Sequence, residues 1–299
     1  MGHGHRFKEI FMATVVISLV STKGGVGKTT VAANLAGLTA ALGLRTLLID
    51  GDVQPSLSKY FALAEAASTG MAEVISSGGL ITTRDISRTQ TPNLDIILSN
   101  MTDATQNWLK QREDRLILLK RAVRQPVVRD NYEIVIIDTQ GATGELQRTA
   151  AMAADIMISP IKPDMMNYSE FVSGTLEMLR QLNAMADLSA ELRSGGLCLL
   201  INSMDRTINS RGVAQSVRND FRQHPNVRLL DTVVPASTVY PTSRSMNCPV
   251  HAFDKPSGNG RSGYEVMHLL LHELLPHLKG MWADGVPPGH QDHKTIEGV

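Results

Sequence analysis

Lys23-Gly24-Gly25-Val26-Gly27-Lys28-Thr29-Thr30 decides the fold. The run stands between an apolar, β-branched stretch, 14–20, and a segment of helical period, 28–42. Glycines let backbone N–H groups curl around an anion, and the N-terminus of a following helix adds a favourable dipole. Lys28 is then placed to meet the β- and γ-phosphates of a nucleotide as a point charge, and the Thr29 hydroxyl to ligate Mg²⁺. A tight strand–helix link would need the glycines only. Lysine and two threonines at this spacing make the run a phosphate-binding loop.

Outward from this loop, short β-branched runs alternate with longer segments of helical period. Strands are expected at 14–20, 46–50, 94–98, 133–138, 156–161, 197–201 and 229–234. Several are apolar nearly throughout, as strands buried on both faces are. Segment 28–42 places Val31, Leu35, Leu38 and Leu42 on one stripe, and 106–124, 168–186 and 210–221 behave similarly. The fold class this predicts is α/β: a doubly wound, mostly parallel sheet with helices on both faces. Region 62–92 is polar and poorly periodic and reads as loop with short helices. Residues 1–11 read as a flexible leader, 12–279 as one domain, and 280–299 as a disordered tail.

Composition narrows the classes. Lys+Arg and Asp+Glu are both 29, so affinity for nucleic acid or membrane has to come from a local patch. Cys198 and Cys248 form no CxxC pair. That argues against a disulfide scaffold, a zinc site or a bridging metal cluster, and fits a reducing, cytoplasmic location. The apolar stretch 12–20 is bracketed by Arg6, Lys8, Glu9 and Lys23 and is too short to span a bilayer.

Three further segments follow strands. In Leu47-Leu48-Ile49-Asp50-Gly51-Asp52-Val53-Gln54-Pro55, two aspartates stand at a strand's carboxyl end, where open α/β sheets bind ligands. Each either serves the nucleotide or caps the next turn. Ile134-Val135-Ile136-Ile137-Asp138-Thr139 is an apolar strand ending in a carboxylate suited to hold Mg²⁺ through water. The glycines of the next residues, 140–144, suggest a loop that senses the γ-phosphate. In Ile201-Asn202-Ser203-Met204-Asp205-Arg206-Thr207, the Asn202 amide either pairs with a base edge or terminates the strand.

KGGVGKTT, with its early second lysine, resembles the deviant Walker A motif of the ParA/MinD superfamily. With the segments at 47–55, 134–139 and 201–207 in order, the chain looks like a ParA-type ATPase over 14–279. The resemblance implies ATP and Mg²⁺ as cofactors. It puts Gly24, Gly25, Val26, Gly27, Lys28, Thr29 and Thr30 around the phosphates, and Asn202 and Pro235 beside the adenine. It gives Thr29, Asp50 and Asp138 to Mg²⁺ and makes Lys23, Lys28 and Asp52 catalytic. Lys23 would reach the partner's ATP across a sandwich homodimer, and Asp52 would orient the attacking water. This chain departs from the family at Val53, where proline is usual, and in 140–144, where two prolines are common. It also departs at Val239 or Tyr240, where a basic residue often stands.

Such an ATP switch can serve several cargoes. A DNA-partitioning member binds DNA non-specifically as an ATP dimer. Its release follows hydrolysis stimulated by a centromere-binding, ParB-like partner, which implies a nucleoid-associated location. Residues 203–262 carry eight basic and four acidic side chains. Arg211, Arg218 and Arg222 share one helix face, opposite Val213, Val217 and Phe221. That face either neutralises phosphates without reading sequence or is simply solvated. With Arg206 and Arg244 it forms the candidate DNA contact. A MinD-type membrane switch would end in a basic amphipathic helix. Segment 263–275 is scarcely basic and Pro276 interrupts it, so no stable membrane anchor is expected. A positioner of protein cargo would share the switch and differ in its partner.

Overall fold

The computed structural model describes residues 13–141, 144–186, 192, 194–256 and 261–285. Its strands are β1 (Val15–Leu19), β2 (Thr46–Gly51), β3 (Leu63–Glu65), β4 (Ser87–Thr89), β5 (Leu94–Ile97), β6 (Ile134–Thr139), β7 (Ile156–Ile161), β8 (Gly196–Ile201) and β9 (Val227–Leu229). They form a single sheet of order β3-β4-β5-β2-β6-β1-β7-β8-β9. From β5 to β9 every pairing is parallel, and β3 and β4 close one edge antiparallel. All six residues of β2 and all six of β6 are buried, which explains their near-continuous apolar sequence.

Alternate residues of each strand point to opposite layers. Ile17, Leu48, Ile136 and Leu200 face a layer built on α1 (Lys28–Ala41). Val16, Leu47, Ile49 and Val135 face α2 (Met71–Ser76), α3 (Asp103–Gln111) and α4 (Leu118–Val123). A short helix, α5 (Pro126–Arg129), leads into β6, and α6 (Glu145–Ala153) leaves it. Beyond β7 come α7 (Met165–Glu170), a π turn (Phe171–Leu176) and α8 (Glu177–Ala186). With α9 (Ile208–Phe221) they cover the second face around Met157, Leu197 and Leu199. On the first face lie α10 (Val239–Ser245), α11 (Val250–Phe253) and α12 (Gly263–Leu274). α1 is gripped there: Asn34 Oδ1 accepts from Val250 N (2.7 Å) while its Nδ2 donates to Thr30 O (2.8 Å). Tyr60 reaches the same lobe through a hydrogen bond between its hydroxyl and Ser243 Oγ.

The doubly wound α/β expectation holds, and four local expectations need correction. Region 62–92 contains two strands, but each has only three residues, too few to show a period of two. The segment expected at 106–124 breaks where Arg112 turns extended and pairs with Asp114, at 2.7 Å. The last strand is Val227–Leu229, not 229–234. Leu230 N and Val234 N still donate to β8, but Asp231 N and Thr232 N turn to the Glu273 carboxylate. Finally, the fold continues past 279: residues 281–285 pack back onto α12, and the expected tail lies outside the described residues only from 286.

Histidines make that last contact. His268 Nδ1 lies 2.7 Å from Tyr264 O and must donate, while its Nε2 accepts from Ala283 N at 2.9 Å. Both roles together require a neutral ring. Trp282 stacks on His268, and His272 Nε2 meets Met281 O at 2.8 Å. Burial holds the pKa of His268 and of neighbouring His251 down at about 4. In the unfolded chain histidines titrate near 6.5, so below that pH the unfolded state binds protons that the folded state refuses. This contribution to stability is complete above about 6.5 and is lost as pH falls through about 4. Urea midpoints are therefore expected to fall from pH 7 to pH 4.5. A His268→Gln variant, unable to titrate there, is expected to show a smaller fall.

Candidate active site

The carboxyl ends of β1, β2 and β6 are neighbours in the sheet, and the segments leaving them meet. Gly25 and Gly27 of the loop after β1 have φ of 73° and 95°, a region that side chains with a Cβ disfavour. Gly27 is also the N-cap of α1. No side chain caps the helix and no acidic residue stands in its first turn, so its leading N–H groups are left for an anion. A Cβ on Gly141, in the loop after β6, would sit 2.5 Å from Gly24 Cα, so these two loops touch backbone to backbone.

Asn202 braces the cradle. Its Nδ2 donates to Val26 O at 2.6 Å, and a Cβ on Gly27 would lie 2.3 Å from that nitrogen. The amide nitrogen that could have read a base edge is thus engaged with the loop. Pro235 bridges Met204, continuing the chain alongside the same strand end.

Lys28 is buried, and its Nζ donates to Lys23 O at 3.4 Å. Burial lowers its pKa, against the pull first of Asp138 and then of Asp52. Asp50 and Asp138 are register partners on adjacent parallel strands, both fully buried. Asp50 Oδ1 accepts from Asp52 N (3.1 Å), and Oδ2 accepts from Ser58 N (2.7 Å) and Ser58 Oγ (2.6 Å). Asp50 therefore shapes the loop after β2, the capping role its position also allowed. Asp52 is half-buried; its Oδ1 accepts from Gln54 N, and its carbonyl accepts from Ser99 Oγ. Burial raises the pKa of Asp50.

Asp138 differs. Its Oδ1 accepts from Thr139 N at 3.1 Å, while Oδ2 is buried without a hydrogen-bond partner among the described residues. Burial pushes its pKa up to about 7; the Thr29 hydroxyl pulls it down, Asp50 pushes it up and Lys28 pulls it down. A buried carboxylate with one oxygen unpartnered among the described residues, and the Thr29 hydroxyl within reach of the same group, fits a divalent cation. Among the described residues no three His, Cys, Asp or Glu side chains are arranged to hold a metal alone. Mg²⁺ keeps waters and takes phosphate oxygens, so it needs only one or two protein ligands, which Thr29 and Asp138 can supply.

The structure brings Gly24 to Thr30, Asp50, Asp52, Asp138 and Asn202 together. Lys23 stands at the rim, half-buried, with Nζ 3.5 Å from the sulfur of Met166 on α7. Of residues 140–144, Ala142 and Thr143 lie outside the described residues. The arginines do not form one patch. Arg211 and Arg218 lie on α9 with Arg222 as its C-cap, and Val213, Val217 and Phe221 are buried beneath. Arg206 precedes that helix, and Arg211 donates to its carbonyl. Arg244 sits on α10, in the layer against the other face of the sheet. None of the five takes part in an ion pair among the described residues. Ser58 and Ser99 were not foreseen: lone serines acting through backbone and carboxylate contacts leave no spacing to read.

With this geometry in view, the comparisons are specific. Residues 14–193 match the AAA domain family. The putative replication protein A of Rhizobium rhizogenes is 31% identical over 56% of this chain, which spans only 45% of that protein. Cell division protein PomZ of Myxococcus xanthus is 26% identical over 96% of this chain and 83% of its own length. Chromosome partitioning protein ParA of Caulobacter vibrioides is 26% identical over 80% of this chain and 87% of its own. Among solved structures, apo McdA of Cyanothece superposes with a TM-score of 0.73 at 18% identity, covering 87% of this chain and 99% of that one.

The raised pKa of Asp138 yields a two-sided prediction. The folded state prefers the carboxylic acid, so between the ordinary value and about 7 ionisation costs the nucleotide-free protein stability as pH rises. Asp138→Asn is expected to raise the urea midpoint of the nucleotide-free protein at pH 8 and to abolish Mg²⁺-dependent nucleotide hydrolysis. A lower midpoint at pH 8 would show the ionised carboxylate to be stabilising.

Proposed function

The chain belongs to the AAA domain family and, within it, to the ParA-type ATPases of the ParA/MinD superfamily, and on that premise we propose that it is a DNA-partitioning switch. It dimerises on ATP, binds DNA without reading sequence, and resets on slow hydrolysis stimulated by a ParB-like partner. The observation that carries the ATP reading is the glycine cradle ending in buried Lys28, with Asp138 Oδ2, unpartnered among the described residues, at the end of a nearby strand.

In this reading the loop N–H groups and the start of α1 hold phosphate oxygens, and Lys28 offsets their charge. Thr29 and Asp138 hold Mg²⁺, which supplies the counter-charge that a transferring γ-phosphoryl group needs. Asp52, half-buried at the loop after β2, orients the attacking water. Asn202 fixes the loop from below and, with Pro235, lies on the adenine side. Lys23, at the rim, reaches the ATP of a second copy. Its removal in Lys23→Ala is expected to weaken ATP-dependent dimerisation.

The DNA face is α9. Arg211, Arg218 and Arg222 project from one side of a helix whose other side is core, and ion pairs within the described residues do not neutralise them. Arg206 extends that side. Arg244, across the sheet, belongs to a different surface unless a second copy brings the two together. α12 is buried on its apolar side, and no helix among the described residues is long and apolar enough to cross a membrane. A positioner of protein cargo is the second reading, favoured by the cell-division relative that aligns with nearly the whole chain.

Duplex DNA binding with ATP, ADP and no nucleotide separates the two. Partitioning is supported if binding needs ATP, weakens with salt and is lost in Arg218→Glu/Arg222→Glu. Removing one phosphate-neutralising arginine should make the log–log salt dependence shallower by roughly 0.9. A protein that dimerises on ATP and ignores DNA is a positioner of something else.

A further inference from the structure

The helical segment after β7 contains a feature that the nucleotide chemistry above does not use. Between α7 and α8, Phe171–Leu176 form a π turn. Such turns are rare, hold an extra residue, and occur frequently at functional sites. Here Gly174 and Thr175 come against the start of the phosphate loop. Thr22 N donates to Thr175 Oγ1 at 3.2 Å, and the two threonine hydroxyls lie 3.2 Å apart. Thr175 is fully buried and Thr22 nearly so. Gly174 permits the approach, because a Cβ there would lie 2.2 Å from Thr22 Oγ1 and 3.0 Å from Thr22 Cβ.

Thr22 is the residue before Lys23. Its bond to Thr175 fixes the point where the chain leaves β1 and enters the loop. Both loop lysines hang on that point. The Lys23 carbonyl accepts from Lys28 Nζ, and the Lys23 ammonium lies against Met166, on the same helical segment that carries Thr175. One element therefore holds the loop entrance from two places. Simple packing would not need this hydroxyl, since valine has nearly the same shape and would fill the space.

We propose that Thr175 is a positioning residue for ATP hydrolysis, acting through Thr22 on the backbone that carries Lys23 and Lys28 without touching the nucleotide. The proposal rests on the reading of this loop as the triphosphate cradle. Its first readout needs no nucleotide: hydrogen exchange at residues 21–25 in the full chain. Thr175→Val is expected to speed exchange at the Thr22 amide. It should also lower kcat roughly tenfold, because displaced catalytic groups lose alignment in the transition state. The KM for ATP should stay within about threefold, because ground-state phosphate contacts survive. Thr175→Ser, which keeps the hydroxyl, is expected to restore both.

Unchanged exchange at Thr22 in Thr175→Val overturns the proposal. So does a lower melting temperature with kcat per folded molecule unchanged, which would mean a purely structural contact. So does a serine variant as impaired as the valine one. A wild-type chain that fails to hydrolyse ATP would instead sink the proposed function, and the exchange comparison would still decide whether Thr175 holds the loop.

Discussion

Two carboxylates side by side on buried parallel strands cannot both be charged without a counter-charge. Asp50 and Asp138 are register partners at the carboxyl ends of β2 and β6, and the fold resolves their repulsion asymmetrically. Asp50 takes three hydrogen bonds from the loop that follows it, while Asp138 keeps one oxygen unpartnered among the described residues. Lys28 lies within electrostatic reach of Asp138, with its own charge disfavoured by burial. A site in which Lys28, Asp50 and Asp138 are all short of solvent is arranged to accept a cation and an anion together. That demand explains the local architecture: a glycine cradle left open, a helix N-terminus left uncapped, and a threonine hydroxyl within reach of Asp138.

How much of this was legible depended on whether a residue's role was local. The phosphate loop, the strand-end aspartates and the parallel core could be read because glycine conformation, strand burial and helix period leave short-range patterns. Asn202 stands out at a strand end, but its engagement with Val26 depends on two segments 176 positions apart in sequence. Ser58 and Ser99 act the same way, through chain reversals that no spacing records. The short edge strands β3 and β4 escaped because three residues cannot display alternation. β9 was misplaced because Glu273, on a helix far along the chain, takes the N–H groups of Asp231 and Thr232. Residues 281–285 carry no apolar periodicity, because their order comes from His268 and His272.

The lobe that grips α1 also meets the loop after β2. Asn34 joins Thr30, in the first turn after the cradle, to Val250, and Tyr60, two residues beyond Ser58, joins Ser243. Ser243 Oγ in turn donates to Cys248 O at 2.6 Å. The phosphate loop and the aspartate loop are thus both moored to α10 and α11, on the face of the sheet opposite α9. The loops of the site are therefore hydrogen-bonded to both layers: through Asn34 and Tyr60 on one face, and through Thr175 on the other.

The pairing of β1 has a consequence for how the protein is made. Its neighbours are β6 and β7, so Val15 finds Ile134 and Ile17 finds Ile156. A ribosome that has just released the cradle has more than a hundred residues still to add before either neighbour exists. During that interval β1 is an apolar strand with both edges open, and β2 is likewise unpaired until its first partner, β5, arrives at residue 94. Non-local parallel pairing is slow, and unpaired apolar strands aggregate. Truncation before residue 134 removes both neighbours of β1, and truncation before 156 removes one of them, so fragments from the amino end are poor candidates for independent expression.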